Sequence, residues 1–126
     1  MTAAYAVHRL SGTVTPANAT YTADELAHQL KTSGAKAIFT CSSLLATALQ
    51  SAEMTGIPHK HVYVLTLSNE SCSDDTHIAN VDRMIHKGNS LPPLEALIFS
   101  KGQGSRQTAF LCYSSGTSGQ PVRASR

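Results

Sequence analysis

The fourteen positions from Thr108 to Pro121 constrain this chain most: Thr-Ala-Phe-Leu-Cys-Tyr, then Ser-Ser-Gly-Thr-Ser-Gly, then Gln-Pro. An apolar run ending in an aromatic gives way to four hydroxyls and two glycines. A buried strand that empties into a flexible, donor-rich turn offers backbone N–H groups and hydroxyls to phosphate oxygens. Ser114, Ser115, Gly116, Thr117, Ser118 and Gly119 are therefore the candidate binding residues, with Pro121 closing the loop. The same letters also suit a Ser/Gly-rich surface turn. The order of apolar strand, Tyr, hydroxyls, Gly, hydroxyls, Gly and Pro favours the phosphate reading.

The loop differs from two better-known loops. A Walker phosphate loop needs Gly-x-x-x-x-Gly-Lys-Ser/Thr, whereas Gly116 and Gly119 are only three positions apart and Gln120 follows. A Gly-x-Ser-x-Gly nucleophile elbow would need one residue more between the glycines. No residue is assigned a catalytic role.

The rest of the chain predicts an α/β fold. Thr22-Ala23-Asp24-Glu25 is a capping box. Ala23, Leu26, Ala27 and Leu30 continue it at helical spacing to Gly34. Ala35 to Thr40 reads as a short strand. Ser42 or Ser43 caps a second helix carrying Leu44, Leu45, Ala48, Leu49 and Ala52, stopped by Gly56 and Pro58. His61 to Leu67 reads as a buried strand and 69–76 as a loop. A third helical stripe, Ile78, Val81 and Ile85, ends near Gly88. Leu94 to Ser100 allows a short turn of helix, and Lys101 to Gln107 is Gly-containing connection. Thr108 to Tyr113 is the last strand.

Strand and helix alternating at these spacings imply a parallel sheet with right-handed crossovers, its apolar strands covered on both faces. Ligands of such sheets gather at the carboxyl ends of strands, where Ser114 to Gly119 falls.

A chain of 126 residues accommodates one compact domain. Its 41% apolar and 14% charged residues are those of a globular protein, and without Trp its core must rest on aliphatic side chains. A formal charge of +2 without a basic face predicts neither a nucleic-acid nor a membrane partner. No apolar run reaches the length of a membrane span, and no secretory leader is visible. Three widely spaced cysteines argue against a disulfide framework. Cys41 and Cys112 are expected in the core and Cys72 in a polar loop. The expected location is intracellular and cytoplasmic, with the glycosylation-like triplets at Asn18 and Asn69 unused.

Two metal readings are weaker than their plain alternatives. His59 and His61 flank Lys60 as a His-x-His pair, without a carboxylate or Cys nearby in sequence, so a surface pair is expected. Asp74-Asp75 with His77 is ordinarily helix capping. His8, His28 and His86 have no sequence partner. No metal site is assigned.

Tyr113 through Pro121 resembles the phosphate-binding signature of the adenylate-forming, or AMP-binding, enzymes. This superfamily comprises acyl- and aryl-CoA synthetases, luciferases and adenylation domains. The pattern is aromatic, Ser/Thr-Ser/Thr-Gly-Thr-Ser/Thr-Gly-x-Pro-Lys-Gly. Upstream, Val14-Thr15-Pro16-Ala17-Asn18 with Tyr21-Thr22-Ala23-Asp24-Glu25-Leu26 is similar to the family's entry to a helix. Gln29-Leu30, Ser33-Gly34-Ala35-Lys36 and His8-Arg9-Leu10-Ser11-Gly12 extend the likeness. It is closest to the 4-coumarate-CoA-ligase-like branch of fungi, which suggests secondary metabolism.

The resemblance implies a partial N-terminal domain over 1–126 with its phosphate-binding loop at 114–121. It implies ATP and Mg²⁺, with coenzyme A as co-substrate of a full-length enzyme and a peroxisomal location for some relatives. Ser114, Ser115, Thr117 and Ser118 would donate to the β- and γ-phosphates, while Gly116 and Gly119 admit the backbone. Val122 stands where the family has Lys, and Arg123 falls one position late. The family's adenine, ribose and Mg²⁺ contacts and its mobile domain have no counterpart. The expectation is a truncated ligase-like chain without synthetase activity of its own. Two alternatives are a non-enzymatic interaction or regulatory remnant and a weak nucleotide or phosphate binder. Apolar surface left uncovered after the last strand predicts marginal stability or self-association.

Overall fold

The computed structural model describes residues 2–66, 78–115 and 121–123. The chain forms two compact units, residues 18–92 and residues 1–17 together with 93–126.

In the first unit, α2 (Ala23–Ser33; α1 lies in the other unit) begins at an extended Thr22. The Thr22 backbone N–H and hydroxyl donate to Glu25 Oε2 at 2.8 and 2.9 Å, and Thr22 Oγ1 accepts from the Glu25 N–H at 3.4 Å. This is the expected capping box. Those bonds, the backbone N–H foremost, hold the Glu25 carboxyl below its ordinary range. A carboxyl depressed in the folded chain stabilises it above the unfolded pKa. That contribution disappears as pH falls through the folded value. Thr22→Ala should cost about 1 kcal/mol at neutral pH. It should flatten the acid limb of a stability titration only in part, because the Thr22 N–H bond survives. Glu25→Gln should flatten it further, and a limb unchanged by Glu25→Gln would refute this account.

Gly34 ends α2 in the left-handed region at φ 67, and the Ala35 N–H then donates to Leu30 O at 3.0 Å. Two short parallel strands, β1 (Ile38–Cys41) and β2 (Val62–Leu65), flank α3 (Leu45–Thr55). Ile38 pairs with Val62 and Thr40 with Val64. A two-residue β3 (Ala79–Asn80) adds a third parallel strand in the order β1-β2-β3, with Tyr63 opposite Ala79. The parallel α/β architecture is thus as the sequence predicts.

The core gathers Leu30, Ile38, Ala48, Ala52, Ile57 and Val62. Small side chains at Ala27, Ala48, Ser51 and Ala52 let α2 and α3 approach closely. Ser51, fully buried, donates its hydroxyl to Ala23 O at 3.0 Å and Thr47 O at 2.7 Å, which ties the two helices. The α4 helix (Val81–Gly88) is capped by Asn80, whose Oδ1 accepts from the Asp82 N–H at 2.7 Å.

Local boundaries shift from expectation. The sheet is not covered on both faces: Ile38, Thr40, Val62 and Val64 are buried, while Phe39 is exposed and stacks on Tyr63 at 5.0 Å. A 3₁₀ turn, Ser42–Leu44, precedes α3, and neither Ser42 nor Ser43 caps it. Cys41 is half-buried, with its Sγ 3.2 Å from Ser43 Oγ.

In the second unit α1 (Thr2–Arg9) leads into a tight turn, with Ser11 at φ 59 and the Gly12 N–H on Val7 O at 2.9 Å. A Cβ on Gly12 would lie 2.6 Å from Val7 Cγ1, so this close approach requires glycine. Leu94 to Ser100 contains no helical turn. Helix α5 (Gln103–Arg106) lies instead within the connection, because Gln103 Oε1 accepts from the Ser100 N–H and hydroxyl, both at 3.1 Å. No helix among the described residues is long and apolar enough to cross a membrane.

Candidate functional site

The approach to the loop is built by strapping residues 107–111 to the turn after α1. Gln107 Nε2 donates to Ser11 O at 2.8 Å and Thr13 Oγ1 to Thr108 O at 2.8 Å. Val14 N–H donates to Ala109 O, and Leu111 N–H to Val14 O, both at 2.9 Å, around a parallel bridge between Val14 and Phe110. His8 meets the Phe110 ring edge to face, centroids 4.8 Å apart, which gives that histidine a neighbour the sequence did not name.

Two expectations change here. The strand starts at Tyr113 rather than Thr108, as β4 (Tyr113–Ser115). Nor is its approach buried: Thr108, Ala109, Phe110 and Cys112 are exposed, so Cys112 is not a core residue. Among the described residues the backbone of this segment pairs with Val14 alone, on one side.

Beyond Tyr113 the chain pairs with itself. Strand β4 runs antiparallel to β5 (Pro121–Arg123), with Tyr113 opposite Arg123, Ser114 opposite Val122 and Ser115 opposite Pro121. Pro121 stands at the first position of its strand, where its missing N–H is tolerated. The loop therefore leaves the carboxyl end of a strand, as expected, but of a hairpin strand and not one of the β1-β2-β3 sheet.

Ser114 is exposed, Tyr113 half-buried, and Ser115 is placed by its backbone pairing. Gly116, Thr117, Ser118 and Gly119 lie outside the described residues. The donor set suits a polyphosphate: residues 108–126 contain hydroxyls, glycines, an amide and two arginines, and no Asp or Glu.

The other candidates do not converge. His59 Nε2 lies 3.4 Å from Glu53 Oε1, with both side chains more than half exposed. The helix thus delivers a carboxylate that sequence distance concealed. Among the described residues no group of three His, Cys, Asp or Glu side chains is assembled for a metal. Cys72, Asp74, Asp75 and His77 fall outside the described residues. His28 lies on α2 and His86 in the last turn of α4.

Comparison with known proteins matches nearly the whole chain to one family. A family model described as AMP-binding enzyme matches residues 1–122. The acyl-CoA ligase AKT1 of Alternaria alternata is 41% identical over 91% of this chain and 20% of its own length. The acyl-CoA ligase cm3C of Cordyceps militaris is 38% identical over 92% of this chain and 19% of its own length. The chain thus spans about a fifth of these curated relatives. Among solved structures, a red-emitting luciferase from Phrixothrix hirtus superposes with a TM-score of 0.73 at 21% identity. That match covers 95% of this chain and 28% of the luciferase.

Proposed function

The chain belongs to the AMP-binding enzyme family, and on that premise we propose that it is the phosphate-gripping part of an acyl-CoA ligase. The observation that carries this reading is the β4–β5 ladder. It sets Ser115 opposite Pro121 and so fixes both ends of a hydroxyl- and glycine-rich stretch free of carboxylates.

In such ligases ATP supplies the leaving pyrophosphate, Mg²⁺ the balancing charge and coenzyme A the accepting thiol. This chain's own share is binding. The hydroxyls of Ser114, Ser115, Thr117 and Ser118 donate to β- and γ-phosphate oxygens, and Gly116 and Gly119 admit those oxygens to backbone N–H groups. Val122 takes the place of the family's lysine, so the grip lacks one cation and is correspondingly weak.

Titration calorimetry with ATP and with pyrophosphate tests the reading. Both should bind, and binding should weaken as salt rises. Thr117→Ala should weaken it about tenfold, the worth of one hydrogen bond to a charged acceptor, with circular dichroism unchanged. No heat of binding from either anion, or full binding by Thr117→Ala and Gly116→Val alike, would remove the loop from the site.

A further inference from the structure

We propose that Leu94–Phe99 is a self-pairing strand through which two copies of this chain associate about a two-fold axis. The inference does not depend on phosphate binding. From Pro92 to Ser100 the chain runs without helix, turn, bend or ladder. Among the described residues, no backbone N–H from Leu94 to Phe99 donates to another backbone group, while the carbonyls of Leu94 and Glu95 accept from the Arg9 guanidinium. A row of backbone N–H groups with no backbone acceptor, on an apolar segment, is a template for another strand.

Its side chains are as open as its backbone. Leu94 is 64% exposed, Leu97 40%, Ile98 85% and Phe99 44%. Leu10, 69% exposed, follows Arg9, whose guanidinium binds the segment, and Phe110, 52% exposed, packs on His8 of the same helix. At about 150–200 Å² for a full large side chain, these six leave roughly 600 Å² of apolar surface uncovered. That is at the top of the roughly 300–600 Å² a monomer ordinarily shows in its largest patch and about three quarters of the ~800 Å² each partner gives a standard interface.

A second copy fits this surface better than a charged partner. Glu95 is the segment's single charge and the chain's net charge is only +2, so two copies meet with little repulsion. A two-fold axis between Ala96 and its copy sets Leu94 opposite Ile98 and Glu95 opposite Leu97, so Leu94, Ala96 and Ile98 of both copies share one apolar face and the two carboxylates are not opposite each other.

Sedimentation velocity over two decades of concentration, with hydrogen exchange at both ends of the range, decides the matter. The expected result is a monomer–dimer equilibrium in which the 94–99 amides become protected only at high concentration. Ile98→Lys, at a position with little packing to lose, should weaken the dimer at least tenfold. Met84→Lys, on an exposed face of α4, should leave it unchanged. A monomer throughout, open-ended growth without a dimer, unprotected 94–99 amides in the dimer, or equal loss in both variants would each overturn the proposal.

Discussion

Replacing Leu30 with alanine is expected to destabilise the unit of residues 18–92 severely. Leu30 is 5% exposed and sits in a cluster whose other members are Ile38, Ala48, Ala52, Ile57 and Val62. Two of these are already alanines, and both lie on α3, which Ser51 holds against α2 by its bond to Ala23 O. The cavity therefore cannot be filled by collapse. Leu→Ala in such a site costs about 2–5 kcal/mol, against a total of about 5–15 kcal/mol for an ordinary domain and less for a small one. The thermal midpoint should fall by roughly 10 °C or more, if a cooperative transition survives. Met84→Ala, 45% exposed on α4, should stay within about 0.5 kcal/mol of the parent. A midpoint for Leu30→Ala within a degree or two of the parent would mean that this cluster is not what holds the unit together.

The same cluster shows what was legible beforehand. Thr22, Glu25, Gly34 and Gly56 act within a few residues of themselves, so both ends of α2 and the C-terminal end of α3 could be read from local chemistry. The strands were found through their apolar centres, yet which face stays open could not be, because Phe39 and Val62 look alike as letters. The hairpin was missed for a different reason. Pro121-Val122-Arg123 is too short for a period of two to appear, and its pairing is specified by a partner on the far side of the loop. Helix α5 depends on Gln103 reaching back to Ser100, and His59 on Glu53 arriving from α3. None of these partners has a sequence signature. The candidate site itself was legible as composition and order. Its strand ends, Ser114 and Ser115, are placed by the hairpin, while 116–119 rest on the resemblance of Tyr113–Pro121 to the family signature.

Pyrophosphate exchange driven by these 126 residues, offered ATP, Mg²⁺ and a panel of aromatic and fatty acids, should be indistinguishable from background. The expectation follows from what a phosphate grip does and does not supply. Holding a carboxylate in line with the reacting phosphorus is worth about 7–11 kcal/mol, or some five to eight powers of ten in rate. On the proposed reading, donors on Ser114–Gly119 would hold the leaving end of the nucleotide and do nothing to aim an acid at it. The chain spans about a fifth of the length of the relatives it matches. On the same reading, Val122 in place of the signature's lysine would leave the transition state short of a further charge. Restoring it as Val122→Lys should tighten pyrophosphate binding several-fold in calorimetry and still produce no exchange. If the parent chain exchanges pyrophosphate above a heat-denatured control, the groups that aim the acid lie within this chain, and the division of labour argued from its loop is wrong.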